Sequence, residues 1–138
     1  MIKKTESPPR KIAKKSIRKS GAPEKLNKAI VEGMQEKKAK EIVCIDLRNL
    51  KNSVADFFVV CHADSKTHIE AIARSIEEYV WNTLGEQPVH VEGISNAEWI
   101  LLDYINVVAH IFNHEQREFY GIERLWADAE IKKIAGNY

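Results

Sequence analysis

The sequence predicts an α/β (α+β) sandwich, in which a mixed five-stranded sheet has flanking helices. The unbroken apolar run from Phe57 to Val60 is typical of a strand that is buried on both faces of a sheet. Residues 65–84 place apolar side chains at the 3.6-residue period of a long helix, which can cross over one face of that sheet. Two apolar runs, 99–102 and 107–112, flank a short polar break and indicate an antiparallel hairpin.

Residues 1–22 are predicted to be a basic tail, which precedes one folded domain at residues 23–138. The tail lacks an apolar period, so it has too little apolar surface to offset chain entropy. Residues 1–25 contain nine Lys or Arg and two Glu, whereas residues 26–138 contain twelve Lys or Arg and eighteen Asp or Glu. Basic arms favour phosphate backbones, so nucleic acid is one candidate partner of the tail. The alternative, given equal weight, is that the tail is a solvated leader segment. The candidate contacts to nucleic acid are Lys11, Lys14, Lys15, Arg18 and Lys19.

The folded domain is expected to begin with a helix and two strands. Pro23 is tolerated in the first turn of a helix, because its missing N–H would have no partner there. The apolar side chains of this helix recur on one stripe, at Leu26, Ile30 and Met34. Residues 42–47 and 54–61 are the first two predicted strands, and a polar loop joins them.

The long helix and a short third strand follow. Ser65 is a suitable N-cap for the helix, and Gly85 is a suitable residue to end it. Residues 89–91 then form a short strand, and Glu92-Gly93 begins the turn that leads to the hairpin.

The hairpin is expected to present two different faces. With residues 105–106 as its loop, the predicted cross-strand pairs are Tyr104–Val107, Asp103–Val108, Leu101–His110 and Trp99–Phe112. One face suits a core and carries Ile100, Leu102, Tyr104, Val107, Ala109 and Ile111. The other face carries Trp99, Leu101, Asp103, His110 and Phe112. On it, Asp103 and His110 are diagonal neighbours within reach of a direct or water-bridged contact. The sequence leaves open whether a helix or a partner protein covers this second face.

The C-terminal part is expected to close the domain with a helical segment. Ile122, Leu125 and Trp126 stand at helical spacing. The last residues, Lys132-Lys133 and 136–138, are expected to fray.

The sequence predicts no catalytic residue, no cofactor and no metal site. It contains no Gly-rich phosphate loop, no Gly-x-Ser-x-Gly elbow and no zinc signature. His110 and His114 are four residues apart, but a strand position for His110 makes the two side chains diverge. Asp103 with His110 is the one pair that resembles a general base and its orienting group. A hydrogen-bonded pair that sets the hairpin register and a contact to a partner are the two interpretations preferred over catalysis.

Length and composition favour one domain inside the cell. The chain has 138 residues and 44% hydrophobic residues, which is enough for one core. No run approaches the roughly 20 apolar residues of a membrane span, and the N-terminus lacks the apolar centre of a secretion signal. Cys44 and Cys61 each lie in an apolar strand, so we expect buried, reduced thiols.

Short strings occur in a fixed order between residues 26 and 129. They are Asp56-Phe57-Phe58-Val59-Val60, Ala71-Ile72-Ala73, Val91-Glu92-Gly93, Glu98-Trp99-Ile100-Leu101-Leu102-Asp103-Tyr104, Val107-Val108-Ala109-His110-Ile111-Phe112, Arg117-Glu118-Phe119-Tyr120 and Leu125-Trp126-Ala127-Asp128-Ala129. Each string is weak alone, but the ordered set resembles the Iojap family, the ribosomal silencing factors. Val54-Ala55 departs mildly from the family pattern of Ser or Thr before the Asp of the second strand. Residues 1–22 lie outside the resemblance.

The resemblance implies a cytoplasmic bacterial protein, with an organellar one less expected. Such a protein binds the large ribosomal subunit at its protein number fourteen, blocks joining of the small subunit and damps translation when nutrients are scarce. The resemblance implies no catalysis. It also implies a nucleotidyltransferase-like topology, although the Gly-Ser motif and the acidic triad of those enzymes are missing here. Family members often form homodimers, and the hairpin surface is a candidate for that contact.

The candidate partner contacts lie on the hairpin, where an aromatic and apolar face matches the family motif. They are Trp99, Leu101, Asp103, Tyr104 and His110. The acidic body also suits a basic ribosomal protein through electrostatic steering, and the tail could contact ribosomal RNA beside it. Two alternatives stay open. One is a nucleotidyltransferase-like nucleotide-handling enzyme with Asp46, Asp56 and Asp103 around Mg²⁺; the other is a nucleic-acid-binding module that acts through the basic tail.

Overall fold

The computed structural model describes residues 22–134, which form four helices and six strands around one sheet. The helices are α1 (Ala22–Glu36), α2 (Lys66–Leu84), α3 (His114–Tyr120) and α4 (Ile122–Leu125). The strands are β1 (Lys40–Asp46), β2 (Phe57–Ala63), β3 (His90–Glu92), β4 (Trp99–Asp103), β5 (Val107–Asn113) and β6 (Glu130–Lys133). Apart from Ala22, the predicted tail lies outside the described residues.

The sheet is mixed, as predicted, and its strands lie in the order β3-β4-β5-β2-β1-β6. β2 and β5 are parallel, and the other neighbouring strands are antiparallel. Every residue of β2 is buried, which confirms the central position expected from its continuous apolar run. The parallel pairing of β2 with β5 requires the crossover that α2 begins.

The predicted number of five strands is wrong, because β6 adds a sixth strand at the edge. β6 pairs with β1 from Asp46↔Glu130 to Val43↔Lys133, and therefore includes Lys132 and Lys133, which were expected to fray. All four residues of β6 are exposed. No alternation of buried and exposed positions marks it in the sequence, so the backbone ladder to β1 sets its position.

One face of the sheet is covered by α1 and α2, whose apolar stripes have the predicted period. Leu26, Ile30 and Met34 of α1 are fully buried, as are the isoleucines of α2 at 69, 72 and 76. The two helices approach closely at Gly33, where a Cβ atom would lie 2.7 Å from the Cα atom of Ile76. The Ser75 hydroxyl donates a hydrogen bond to the Gly33 carbonyl at 2.7 Å. A residue without a side chain thus allows the contact between the helices.

The ends of α2 agree with the prediction. The Ser65 hydroxyl accepts a hydrogen bond from the His68 amide at 3.1 Å, as an N-cap does. Gly85 has a left-handed backbone with a φ angle of 67°, and its amide donates to the Trp81 carbonyl at 2.9 Å.

The hairpin of β4 and β5 has the predicted register, with Trp99 opposite Phe112, Leu101 opposite His110 and Asp103 opposite Val108. The Tyr104 amide donates to the Val107 carbonyl at 2.9 Å and closes the hairpin around residues 105–106. Ile105 has a φ angle of 76°, which is a strained conformation for a β-branched residue. The predicted division into two faces is confirmed as well, because the six residues assigned to the core face all lie in the cluster beneath α1 and α2.

Candidate functional site

We define the aromatic face as the sheet face opposite α1 and α2. Its rings belong to Phe58, Trp99, His110 and Phe112, together with Tyr120 and Trp126 from the C-terminal segment. α4 contributes the buried Ile122 to the same apolar cluster. Among residues 22–134, the long helices therefore cover one side of the sheet, whereas short segments lie over the aromatic face.

The rings of the aromatic face form a continuous series of contacts. Trp99 stacks on Phe112 with ring centroids 4.8 Å apart, and Tyr120 lies 4.7 Å from Trp99. His110 meets Phe58 edge-on at 4.6 Å, and Phe58 meets Trp126 at 5.8 Å. Such aromatic contacts add to the stability gained from the buried area. Trp99 thus has a well-defined orientation, although it is only half-buried.

The nearest polar partner of His110 is Trp99. The Trp99 Nε1–H donates to His110 Nδ1 at 3.1 Å, so the imidazole is neutral and its proton is on Nε2. His110 is 3% exposed, and this burial lowers its pKa to about 3. Nε2 has no hydrogen-bond partner among residues 22–134.

The direct hydrogen bond considered between Asp103 and His110 is not formed. The Asp103 carboxylate accepts a hydrogen bond from the Ile105 amide at 2.7 Å and thereby stabilises the strained loop. Sequence reasoning selected the wrong diagonal neighbour of His110, because Asp103 and Trp99 both lie diagonal to it. The polar character of Asp103 favoured that choice, whereas the indole N–H of Trp99 was overlooked.

The structure brings together four of the five predicted partner contacts. Trp99, Leu101, Asp103 and His110 all lie on the aromatic face, where the buried His110 is next to the half-buried Trp99 and Leu101. Tyr104 is on the opposite face of the sheet and is 1% exposed. Its hydroxyl has no hydrogen-bond partner in the described part of the chain, and burial raises its pKa well above the ordinary value.

Three exposed apolar side chains were missed by sequence reasoning, one of them within the aromatic face and two beside it. Phe119 is 76% exposed, Tyr120 is 46% exposed and Leu125 is 75% exposed. The ring of Phe119 contacts that of Tyr120 at 5.1 Å, so the exposed aromatic surface continues directly from Trp99. Apolar residues at helical spacing normally indicate a buried stripe, and only the position of α3 and α4 on the sheet shows that these point outward.

The carboxylates proposed for a magnesium site have separate local partners. Asp46 accepts hydrogen bonds from Arg48, which lower the pKa of its carboxyl group. Asp56 accepts a hydrogen bond from the Asn106 side chain at 3.2 Å. Within residues 22–134, no group of three His, Cys, Asp or Glu side chains has the arrangement of a metal site.

The remaining predicted features are located as follows. Cys44 and Cys61 are free, buried thiols, as predicted, and burial raises the pKa of Cys61 to about 12. His114 lies against His62, with ring centroids 4.8 Å apart, whereas His110 contacts Trp99. None of the helices at residues 22–134 is long and apolar enough to cross a membrane. The tail positions proposed for nucleic acid, Lys11, Lys14, Lys15, Arg18 and Lys19, lie outside the described residues.

Comparison with known proteins agrees with the resemblance found in the sequence. The sequence model of a family described as "Ribosomal silencing factor during starvation" matches residues 19–137. The protein named ribosomal silencing factor RsfS of Halalkalibacterium halodurans is 32% identical over 113 residues, which are 82% of this chain and 95% of that protein. A Mus musculus protein named "Mitochondrial assembly of ribosomal large subunit protein 1" is 26% identical, over 77% of this chain and 49% of that protein. The crystal structure of a Chromobacterium violaceum protein has a TM-score of 0.71 and 27% identity, and covers 82% of this chain and 92% of that chain.

Proposed function

The chain belongs to the ribosomal silencing factor family, and from this premise we propose that it is an anti-association factor of the ribosome. It binds the large subunit through that subunit's protein number fourteen, in the bacterial cytoplasm, and prevents the small subunit from joining. Translation then falls when nutrients are limiting. Occupancy of the subunit interface is sufficient for this effect, so the function requires no reaction.

The observation that carries the proposal is the exposed aromatic surface that runs from Trp99 through Tyr120 to Phe119. Its rings are in contact at 4.7 and 5.1 Å, and Phe119 projects 76% of its surface into solvent. Large aromatic side chains on a rigid scaffold are the residues that dominate protein–protein contacts. Trp99, Leu101 and Asp103 are the direct contacts in this proposal, and the buried Tyr104 and His110 support the hairpin from within.

Charge favours a basic partner. Residues 26–138 contain twelve Lys or Arg and eighteen Asp or Glu, and the exposed carboxylates among them include Glu115 and Glu118 of α3, the helix that carries Phe119 and Tyr120. Arg117, the basic residue of α3, is paired with Glu123 and is buried. Carboxylates around an apolar centre suit a ribosomal protein with basic side chains around its own apolar contact.

The proposal is tested by sedimentation of the protein with purified large and small subunits under joining conditions. The wild-type protein should travel with the large subunit and reduce the joined peak. Phe119→Ser and Trp99→Ala should each weaken binding by about 30-fold, which corresponds to a hot-spot loss of about 2 kcal/mol. Phe119 is largely exposed, so its replacement should leave the thermal unfolding midpoint almost unchanged.

Two control variants bear on this result. Trp81→Ala removes another exposed indole, 54% exposed on α2 at the opposite layer of the molecule, and should bind as the wild type does. Tyr104→Phe removes a buried hydroxyl and should also bind normally. If Phe119→Ser and Trp99→Ala still sediment with the large subunit at wild-type affinity, the aromatic surface is not the docking site. If the wild-type protein stays at the top of the gradient, the proposed function itself is wrong.

Two further parts of the proposal concern the tail and self-association. The tail side chains Lys11, Lys14, Lys15, Arg18 and Lys19 add contacts to ribosomal RNA beside the docked domain. Their replacement by Gln should reduce the salt dependence of subunit binding, and an unchanged salt dependence would exclude them. Two free copies pair through the aromatic surface, so Phe119→Ser should shift the mass measured by light scattering from dimer to monomer. A monomeric wild-type protein would contradict this pairing.

A further inference from the structure

Arg117 joins four elements of the fold through one buried guanidinium group. Its Nε and Nη2 atoms donate to the Glu123 carboxylate of α4 at 3.1 and 2.8 Å. Its Nη1 atom is 2.8 Å from the Glu41 carbonyl oxygen of β1 and 2.9 Å from His62 Nδ1 of β2. Arg117 itself is in α3 and is 6% exposed. The side chain therefore attaches both short helices to the sheet.

The contact with His62 determines the protonation state of this histidine. A guanidinium group has donors and no acceptor, so His62 Nδ1 must accept the hydrogen bond and cannot carry a proton. His62 is therefore neutral, with its proton on Nε2, and is 5% exposed. A proton added at Nδ1 would point at the Nη1 donor, and the contact would change from attraction to repulsion.

The charges around His62 come from every element packed against it. Arg117 and His114 of α3 and the burial of the ring oppose its protonation, with burial as the largest cause of the lowered pKa. Glu41 of β1 and Asp64, which follows β2, favour protonation. Asp64 is itself paired with Lys40 of β1 at 2.6 Å, and Glu123 of α4 is paired with Arg117. Glu123 and His62 are thus both titratable acceptors of this guanidinium group, and His62 is the one whose side-chain type titrates near neutral pH.

The position of Arg117 bears directly on the aromatic surface. Arg117 precedes Tyr120 by three residues in the short helix α3, so both side chains move with the same turn of backbone. Tyr120 contacts Trp99 at 4.7 Å, and Phe119 contacts Tyr120. Weakening the attachment of Arg117 to β1 and β2 would allow α3 to shift on the sheet, and the exposed rings would lose their fixed arrangement.

We propose that Arg117 is a positioning residue for the docking surface and that protonation of His62 weakens its hold, so that acidification lowers the affinity for the partner. The link to the partner rests on the proposed function. The coupling between His62 and α3 is a property of the free protein and can be measured without a ribosome.

The first measurement is hydrogen exchange of the α3 amides in the free protein at about pH 8 and about pH 5.5. These two values lie on either side of the ordinary pKa of histidine. Rates are corrected for the intrinsic effect of pH on exchange. In the wild-type protein, the protection of residues 117–120 should decrease at the lower pH. His62→Asn places an amide oxygen where Nδ1 was and cannot be protonated, so its protection should stay constant. His90→Asn is the matched control, because His90 is exposed at the other end of the sheet, and it should behave as the wild type does.

The second measurement is the affinity for the large subunit at the same two pH values. Wild type and His90→Asn should lose affinity at the lower pH by a few-fold, and by no more than about tenfold, because the pKa of His62 lies below the ordinary value of 6.5, which is only one unit above pH 5.5. His62→Asn should change by less than about twofold. Arg117→Lys keeps the charge without the paired geometry, and should have weaker binding and less protection of α3 already at the higher pH.

The proposal is overturned if His62→Asn keeps the pH dependence of the wild type, or if α3 protection in the wild type does not change with pH. If Arg117→Lys fails to fold, His62→Asn still decides the question. If the wild-type protein binds no large subunit at either pH, the proposed function has failed, and the exchange measurement alone decides whether His62 controls α3.

Discussion

The burial of His110 predicts a specific loss of stability in acid. Its imidazole accepts a hydrogen bond from Trp99, is 3% exposed and has a pKa of about 3, against an ordinary value of 6.5. Unfolding releases the ring into water, where it takes up a proton below the ordinary value. Because the pKa is lower in the folded state, the stabilisation is complete above pH 6.5 and is lost as the pH falls towards 3.

The size of the effect follows from the two pKa values. Between about pH 7.5 and about pH 5, the unfolded state gains a proton at this site and the folded state does not, which lowers the free energy of unfolding by about 2 kcal/mol. His62 also has a lowered pKa through burial and contributes in the same direction. The acid-induced loss in free energy of unfolding is therefore compared between the wild type and a variant that lacks the His110 ring. The difference between the two losses is the contribution of His110.

The variant is His110→Asn, whose amide oxygen can still accept the hydrogen bond of the Trp99 indole. Urea unfolding at about pH 7.5 and about pH 5 gives the free energy of unfolding for both proteins. The variant is expected to be less stable than the wild type at the higher pH, because the smaller side chain leaves a cavity. On acidification, its free energy of unfolding should fall by about 2 kcal/mol less than that of the wild type. His90→Asn should lose as much as the wild type. Equal losses in wild type and His110→Asn would refute the reasoning.

Two substitutions test the backbone features of the fold. Gly33→Ala should lower the free energy of unfolding by about 1–3 kcal/mol, because the new Cβ atom would lie 2.7 Å from the Cα atom of Ile76. This clash outweighs the better helix propensity of Ala. A thermal midpoint above that of the wild type would contradict this prediction. Ile105→Asn should raise the free energy of unfolding by about 1 kcal/mol, since Asn tolerates the φ angle of 76° that strains Ile. A urea midpoint equal to or below the wild-type value would show that this loop is not strained.

Much of the hairpin could be predicted from the sequence because its contacts are local. Strand residues alternate between the two faces, so a two-residue loop determines which side chains face each other, and all three predicted pairs on the aromatic face occur. The partner of His110 could not be chosen in this way, because two diagonal neighbours were available. The rotamer of Trp99, which stacks on Phe112, decides between them.

The candidate site was only partly predictable for a related reason. Trp99, Leu101 and Asp103 follow from strand alternation, whereas the exposure of Phe119, Tyr120 and Leu125 depends on how two short helices lie on a sheet. Arg117 illustrates the limit most clearly, because its Nη1 atom binds a carbonyl oxygen 76 residues earlier in the chain. No periodicity relates two such positions.

The family, the order of most elements and the side chains that face the core could be assigned from the sequence, because these depend on ordered motifs and on periods of 2 and 3.6 residues. The sixth strand and the attachment of α3 and α4 through Arg117 are seen only in the assembled fold. These features depend on backbone ladders and buried polar contacts between distant segments. Their energies arise only after the sheet has assembled, so these features cannot be predicted from the local pattern of residues.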